Sequence, residues 1–333
     1  MVMDFYSQQQ KNVRKTVTLV IIMLAIIFTA GIIIDYYFGT VFLITGILLA
    51  ITLIQILVSF GRGYKIVLSS VEARQVDENT QDLEEKQLLN IVEELSISAG
   101  MAKPQVYVMP DESINAFATG SKPEKSYVCV TTGLLKNLNR EETEGVLAHE
   151  FSHIKNRDIL LMTTISALVG GVLLLAIIAF RFGLTFLRGG AFVSGGRSRK
   201  KSGKDDSGNI ILMIIAITFV TAAVMFLIGQ ISRLMTLAIS RKREYLADAT
   251  AVEFTRNPAG LSNALRKIYK SAIVTRKATS ATAHLFISEP KKIKFSQKSG
   301  FFANLFNTHP PLLERIAMLE NKDKTDVEME LSK

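Results

Sequence analysis

The apolar residues of this chain gather into long uncharged runs separated by segments of ordinary mixed composition. From Thr16 to Ile34, between Lys15 and Asp35, no residue is charged and Leu, Ile, Val and Met dominate. A helix of that length reaches across the roughly 30 Å of a bilayer's hydrocarbon. A second uncharged run, Tyr36 to Phe60, follows at once. The turn between them, Asp35, Tyr36, Tyr37 and Gly39, carries the aromatic rings that favour a membrane interface, so the two runs predict a hairpin of spans. A cleaved signal peptide is the rival reading of the first run, but its apolar part exceeds the usual core of about 7–15 residues and another run follows directly. A third run, Ile159 to Phe180, and a fourth, Ser207 to Ser232, flank a segment rich in Gly, Ser, Arg and Lys that reads as a flexible loop. Buried helices of a soluble domain are the alternative for this pair; each exceeds the roughly 18 residues a span needs, and four spans is the simple count.

The remaining segments carry shorter periods. Asp82 to Ala99 places Leu83, Leu88, Leu89, Ile91, Val92 and Leu95 among charges, the pattern of an amphipathic helix. Val106 to Met109, Ile114 to Thr119 and Tyr127 to Thr131 are short β-rich runs, split by Pro110 and Asp111 and by Gly120 and Pro123, and they predict a small antiparallel sheet. Asn139 with Glu142 three residues on resembles a capping box opening a further helix. The fold class is therefore mainly α with a small antiparallel β-sheet in a multi-pass membrane protein. The chain is expected to divide into an N-terminal hairpin (1–60), a first soluble part (61–158), a second pair of spans with a basic loop (159–240) and a second soluble part (241–333).

Composition adds exclusions. With 48% hydrophobic residues and a mean hydropathy of +0.27 in 333 residues, the chain is neither disordered nor a small disulfide scaffold. The lone Cys129 makes no internal disulfide and no cysteine zinc site, so any metal has to use His and carboxylates. A net charge of +9 would suit nucleic acid only if the basic residues shared a soluble face with aromatics; here they flank apolar runs, so the bilayer is the expected partner and nucleic acid is not. Lys11, Arg14 and Lys15 before the first run, and Arg62 and Lys65 after the second, place both flanks on the cytoplasmic side. Arg181, Arg188, Arg197, Arg199, Lys200, Lys201 and Lys204 break that rule in the later loop: the loop is expected to be translocated because the earlier hairpin already fixes orientation, the alternative being a last pair of runs that forms a hairpin and does not fully cross.

The chemistry centres on His149, Glu150, Phe151, Ser152 and His153, an HExxH motif within a helical pattern. Imidazoles four residues apart share one helix face and hold one zinc ion between them, with Glu150 placed as general base for a water. Two imidazoles leave a catalytic zinc one protein ligand short. The segment Ser240 to Asp248 offers two carboxylates four residues apart. Glu244 is the expected third ligand, and Asp248 an acceptor that orients a ligand imidazole. The alternative for these acids is a solvated charged face. His309 or Arg315 is a candidate donor to the oxyanion of the reaction, against the plainer reading of a turn His before Pro310 and a surface Arg. Asn115, Ala116, Phe117 and Ala118 are the candidate edge on which an extended substrate pairs, the competing reading being an interior strand with Phe117 in the core. His284 reads as a buried His, and Cys129 as a small buried apolar residue. If the motif helix runs on into the third span, His153 stands six residues, about 9 Å, before Ile159, and Glu244 lies at a matching height beyond Ser240. That register places the zinc near the membrane and predicts that Arg233 is at least partly buried.

The same segments resemble a known family, the HtpX-like integral-membrane zinc metalloproteases, relatives of the CAAX prenyl proteases. The resemblance rests on the amino-terminal apolar hairpin, Asn115-Ala-Phe-Ala-Thr-Gly120, Leu147-Ala-His-Glu-Phe-Ser-His-Ile-Lys-Asn-Arg-Asp158, Ser240-Arg-Lys-Arg-Glu-Tyr-Leu-Ala-Asp248, and Thr308-His-Pro-Pro-Leu312 followed by Arg315. It implies His149, His153 and Glu244 as zinc ligands, Glu150 as general base and Asp248 as an orienting residue, in a gluzincin-type helical core with a small sheet. It also implies a bacterial inner-membrane endopeptidase with one zinc per chain, whose site the basic flanks of the first hairpin place on the cytoplasmic side. Its substrates would be misfolded or membrane-associated proteins, in quality control and stress response. A processing protease for lipidated or peptide substrates, and a catalytically silent membrane adaptor, are the alternatives.

Overall fold

Both faces of the sheet are buried, and the strands sort their side chains between them by strict alternation. In the computed structural model the described residues are 41–164, 241–271 and 310–332, with isolated positions between 14 and 39 and at 166, 275, 276, 282 and 285–287. The fourth apolar run, most of the third, the basic loop, Arg233, His284 and His309 lie outside them. The elements are α1 (Leu43–Ser70), β1 (Arg74–Gln75), α2 (Leu83–Ala99), β2 (Gln105–Met109), β3 (Ala116–Lys122), β4 (Lys125–Thr131), α3 (Thr132–Asn137), α4 (Arg140–Lys155), α5 (Arg241–Thr255), α6 (Pro258–Lys270), α7 (Leu312–Glu320) and α8 (Lys324–Ser332). Two compact units divide the chain: the smaller contains Ile22–Gln55, the larger Ile56–Ala167 and Leu234–Lys333.

The sheet, in order β1-β2-β4-β3, belongs to the larger unit. The expectation of an antiparallel sheet is corrected here: β1 with β2 and β3 with β4 are antiparallel, but β2 and β4 run parallel, with Gln105 opposite Tyr127 and Met109 opposite Thr131. Alternation decides which face a side chain occupies and says nothing about which strand lies next door. β4, buried at every position after Lys125, takes a central position where both its edges are paired, while β3 is displaced to the end of the order. Two crossing bonds hold this arrangement, from Thr131 N to the Asn115 carbonyl (3.0 Å) and from Gly133 N to the Asp111 carbonyl (2.9 Å).

On one face Val106, Val108, Ala116, Ala118, Val128 and Val130 join a core with α2, α4, α5, α6, α7 and α8. On the other, Met109, Phe117, Tyr127 and Cys129 pack with Val67, Leu68, Val71, Met162, Leu285 and Phe286. Each Val, Leu, Ile, Phe or Met among them stabilises the fold by about 1.5–3 kcal/mol on full burial. Cys129 is wholly buried, as a small apolar residue, and that burial pushes its thiol pKa up.

Local chemistry explains where the helices begin. The Asp82 carboxylate caps α2 by accepting from the backbone N–H of Glu84 and Glu85, and Gly100, at φ 64°, closes it in the left-handed conformation that glycine adopts without strain. Leu83, ahead of the first buried turn, points to solvent, while Leu88, Leu89, Ile91, Val92 and Leu95 are buried as the pattern predicts. The capping box of α4 forms in full: Glu142 N donates to Asn139 Oδ1 (2.9 Å) and Asn139 N to Glu142 Oε2 (2.8 Å). Where α6 crosses α4, a Cβ on Gly145 would lie 2.5 Å from the Leu261 nitrogen, so only glycine permits this backbone approach.

In the smaller unit the Asp35 carboxylate is buried and accepts from Thr45 N (2.9 Å) and Thr45 Oγ1 (2.6 Å). Leu43, Ile47, Leu53, Ile54 and Leu57 of α1 are exposed by half or more. Among the described residues no single helix is long and apolar enough to cross a membrane; Thr45–Val58 and Gly61–Ser70 meet that requirement only together, as a bent pair.

Candidate metal centre

α4 presents His149 and His153 one turn apart on the face that α5 crosses, and α5 contributes Glu244. The two imidazole Nε2 atoms are 3.3 Å apart. Glu244 Oε2 lies 3.7 Å from His149 Nε2, and Oε1 3.7 Å from His153 Nε2. All three residues are buried, and their ligating atoms lie within 4.8 Å of one another. Glu150, 2% exposed, sits beside His149 on the same helix.

Carboxylates behind the rings decide which nitrogens face this point. His149 Nδ1 is 2.8 Å from Asp248 Oδ1, and His153 Nδ1 is 3.1 Å from Asp158 Oδ2. An acid accepts, so each Nδ1 carries a proton, and in the neutral ring Nε2 turns a lone pair inward. Two such lone pairs and the Glu244 carboxylate converge on one buried point, which a shared cation satisfies: a metal ion, or in its absence the proton that His153 holds. Tetrahedral zinc with bonds of about 2.0–2.1 Å needs ligand atoms about 3.3 Å apart, and two imidazoles with one glutamate are a catalytic zinc donor set. The residues present therefore fit the ion.

The surrounding charges treat the two rings oppositely. Burial lowers the His149 pKa, the neighbouring Arg315 cation adds to this, and despite Asp248 it falls to about 4. Burial also acts to lower that of His153, but the hydrogen bond to Asp158 and the charges of Glu244, Asp158 and Glu150 outweigh it and raise it to about 9. For Asp248, burial acts upward and is overcome by Arg315 and His149, which hold it near 2. Without metal at pH 7, His153 is therefore protonated and His149 neutral. Zinc binding at pH 7 is expected to release about one proton, and affinity to rise about tenfold per pH unit between pH 5 and 9. Calorimetry in buffers of different ionisation enthalpy checks this; no proton release at pH 7 would contradict it.

Arg315, from α7, is wholly buried behind His149, on the Nδ1 side. Its Nε donates to Asp248 Oδ2 (2.8 Å), its Nη2 to Asp248 Oδ1 (2.6 Å) and its Nη1 to the Ile287 carbonyl (3.1 Å). The donors expected to face a reacting oxygen are thus turned towards Asp248 and the chain. His309, the other candidate, lies outside the described residues.

β3 is the end strand of the sheet, and Asn115 stands one residue before it. Ala116, Phe117 and Ala118 are all buried, and Phe117 meets Phe286 edge-on with ring centres 5.0 Å apart. The outer side of this strand carries company from its own chain: Ile287 N donates to the Ala116 carbonyl (3.0 Å), and the Asn115 amide to Thr275 Oγ1 (2.9 Å).

Two buried residues at the centre, Asp158 and Arg243, were not singled out by the sequence reading. The motif helix was expected to continue unbroken into the third apolar run. Instead α4 ends at Lys155, Asn156 and Arg157 form a turn with Arg157 at φ 56°, and helix resumes at Asp158. On an unbroken helix a residue five places on lies about 140° around the axis and does not face His153. Periodicity therefore hid Asp158. The signal available was its own motif, an acid that closes the polar run Lys155-Asn156-Arg157 after the second ligand and directly precedes the third apolar run.

Residues 82–323 match the family described as Peptidase family M48. A protein named Protease HtpX homolog from Caldanaerobacter subterraneus subsp. tengcongensis is 42% identical over 318 residues, covering 95% of this chain and 97% of its own length. Another of that name, from Lactobacillus acidophilus, is 39% identical over 320 residues, covering 95% and 99%. The crystal structure of S. mikatae Ste24p is similar with a TM-score of 0.47 and 19% identity, over 95% of this chain and 67% of that one.

Proposed function

The chain belongs to peptidase family M48 and is a metalloprotease, and on that footing we propose that it is a zinc endopeptidase of the bilayer surface that cuts unfolded or membrane-associated proteins. The observation that carries the reading is the convergence of two imidazole Nε2 atoms and one carboxylate in a buried space, with a second carboxylate, Glu150, beside it. His149, His153 and Glu244 would hold one zinc ion. When bound, the ion supplies Lewis acidity, making a water nucleophilic near neutral pH and polarising the peptide carbonyl.

Every other part belongs to the chain. Glu150 takes the proton from the attacking water and hands it to the departing amine, so one carboxylate acts first as base and then as acid. Asp248 keeps the proton of His149 on Nδ1, and Arg315 keeps Asp248 in place and ionised. An extended substrate laid along β3 has to share that edge with the Leu285–Ile287 segment, which already takes the Ala116 carbonyl.

The exposed apolar side chains of α1 support a place in the membrane, since a contiguous apolar surface of that kind calls for lipid or protein cover. The basic residues Arg14, Arg62 and Lys65 support a site on the cytoplasmic side of a cell membrane. Quality control of misfolded membrane proteins is the role we propose for such an enzyme.

Treating detergent-purified protein with a zinc chelator is expected to abolish hydrolysis of unfolded casein, and one equivalent of zinc to restore it. Persistence of hydrolysis in metal-free protein would defeat the reading. Casein cut while folded soluble proteins are spared would support unfolded chains as substrates.

A further inference from the structure

Two imidazoles that share one ion have to be aimed, because a ring turned about its Cβ–Cγ bond moves Nε2 away from the common point. For His149 the aim is set by Asp248, itself gripped by two nitrogens of Arg315. His153 has an equivalent support built from different residues. Asp158 Oδ2 meets its Nδ1 at 3.1 Å, and Arg243 Nη1 donates to the other oxygen, Oδ1, at 3.0 Å. Asp158 and Arg243 are 2% and 5% exposed, so water competes little for either contact.

Two further features suggest that the arrangement is more than a buried ion pair. Bringing Asp158 back to the ring requires the break in the helix, with Arg157 in a left-handed conformation that a non-glycine residue seldom adopts. In addition, Arg243 is the residue immediately before Glu244, so a single turn of α5 supplies both the third carboxylate of the centre and the clamp on Asp158. A shift of α5 that moved Glu244 would also loosen His153.

We propose that Asp158, held by Arg243, is a positioning residue that aims His153 Nε2 at the metal position and ties that aim to the placement of Glu244. The proposal rests on the reading of the centre as a zinc site. Asp158 touches neither substrate nor the reacting atoms; it acts through His153, and Arg243 acts through Asp158.

The test uses the full chain in detergent, as parent, Asp158→Asn, Arg243→Gln and the double variant. Zinc affinity is read by competition with a chromogenic chelator, site geometry by the visible spectrum after Co2+ replacement, and kcat and KM on casein at saturating zinc. Asp158→Asn is expected to weaken zinc binding about 10–100-fold, shift the Co2+ bands and lower kcat with KM unchanged. Arg243→Gln is expected to do the same to a smaller extent, and the double variant to bind zinc no more weakly than Asp158→Asn. Parent-like zinc affinity and Co2+ spectrum in folded Asp158→Asn, whatever its melting temperature, would overturn the proposal, as would fully additive losses in the double variant. If Asp158→Asn does not fold, Arg243→Gln decides on the same readouts. If the parent binds one zinc and hydrolyses nothing, the peptidase reading fails, while the affinity and Co2+ measurements still decide this proposal.

Discussion

Glu150→Gln is expected to keep one zinc per chain and to lose about two to four orders of magnitude in kcat, the range general acid–base groups contribute. The substitution keeps the shape of the side chain in a site that is 2% exposed, so packing around α4 is preserved. What goes is the capacity to accept a proton from water and return it to the amine. KM should change little, because the lost interaction acts in the transition state. Metal binding should be spared for a further reason. Glu150 is not among the three residues whose ligating atoms converge on the metal position, so its substitution leaves the donor set intact. Casein hydrolysis and zinc content, measured on the same preparations, decide the matter; a zinc-loaded Glu150→Gln protein with parental turnover would end the proposed mechanism.

Arg315→Met is expected to destabilise the larger unit by about 3–5 kcal/mol, the usual consequence of breaking a buried ion pair from one side. That is a large share of the roughly 5–15 kcal/mol that holds a domain together. The guanidinium is wholly buried, and its loss strands the Asp248 carboxylate with the neutral His149 ring as its neighbour. Arg315→Lys should rescue little, since one ammonium does not reproduce the two-nitrogen grip on Asp248 together with the bond to the Ile287 carbonyl. Pairing Arg315→Met with Asp248→Leu should recover part of the stability and none of the zinc affinity. The pH dependence has a definite sign. Asp248 is held near 2, below its ordinary 3.8, so its stabilisation is present above about pH 4 and is lost as the pH falls towards 2. Thermal unfolding in detergent, with and without zinc, is the measurement, and a parental melting temperature for Arg315→Met would contradict the argument.

How Arg315 was read in the chain, and where it lies, shows what local pattern carries. After Thr308-His-Pro-Pro the residue looked available to a reacting oxygen; in the structure the first turn of α7 carries it behind His149. The sheet teaches the same lesson. The alternation of Val128 and Val130 against Tyr127 and Cys129 was legible, but the parallel pairing of β4 with β2 was not, because both neighbours offer the same backbone donors and acceptors. The strand at the end of the order was legible as a run, whereas the Ile287 contact on its outer side depends on a segment 171 positions away in the chain.

By itself the amino-acid order determined the features that act over a few residues. The Asn139–Glu142 box starts α4, the HExxH spacing puts two imidazoles on one face, and Asp82 and Gly100 bound α2. These follow from hydrogen bonds and side-chain periods that close within about one turn of helix or one step of strand. Only the tertiary structure decided the rest. It brought Glu244 to the imidazoles, placed Arg315 on Asp248 across 67 positions and Arg243 on Asp158 across 85, and broke the helix at Arg157 so that Asp158 could reach back. Such contacts form between side chains that no local period relates, and their partners are set by how the buried faces of α4, α5 and α7 pack.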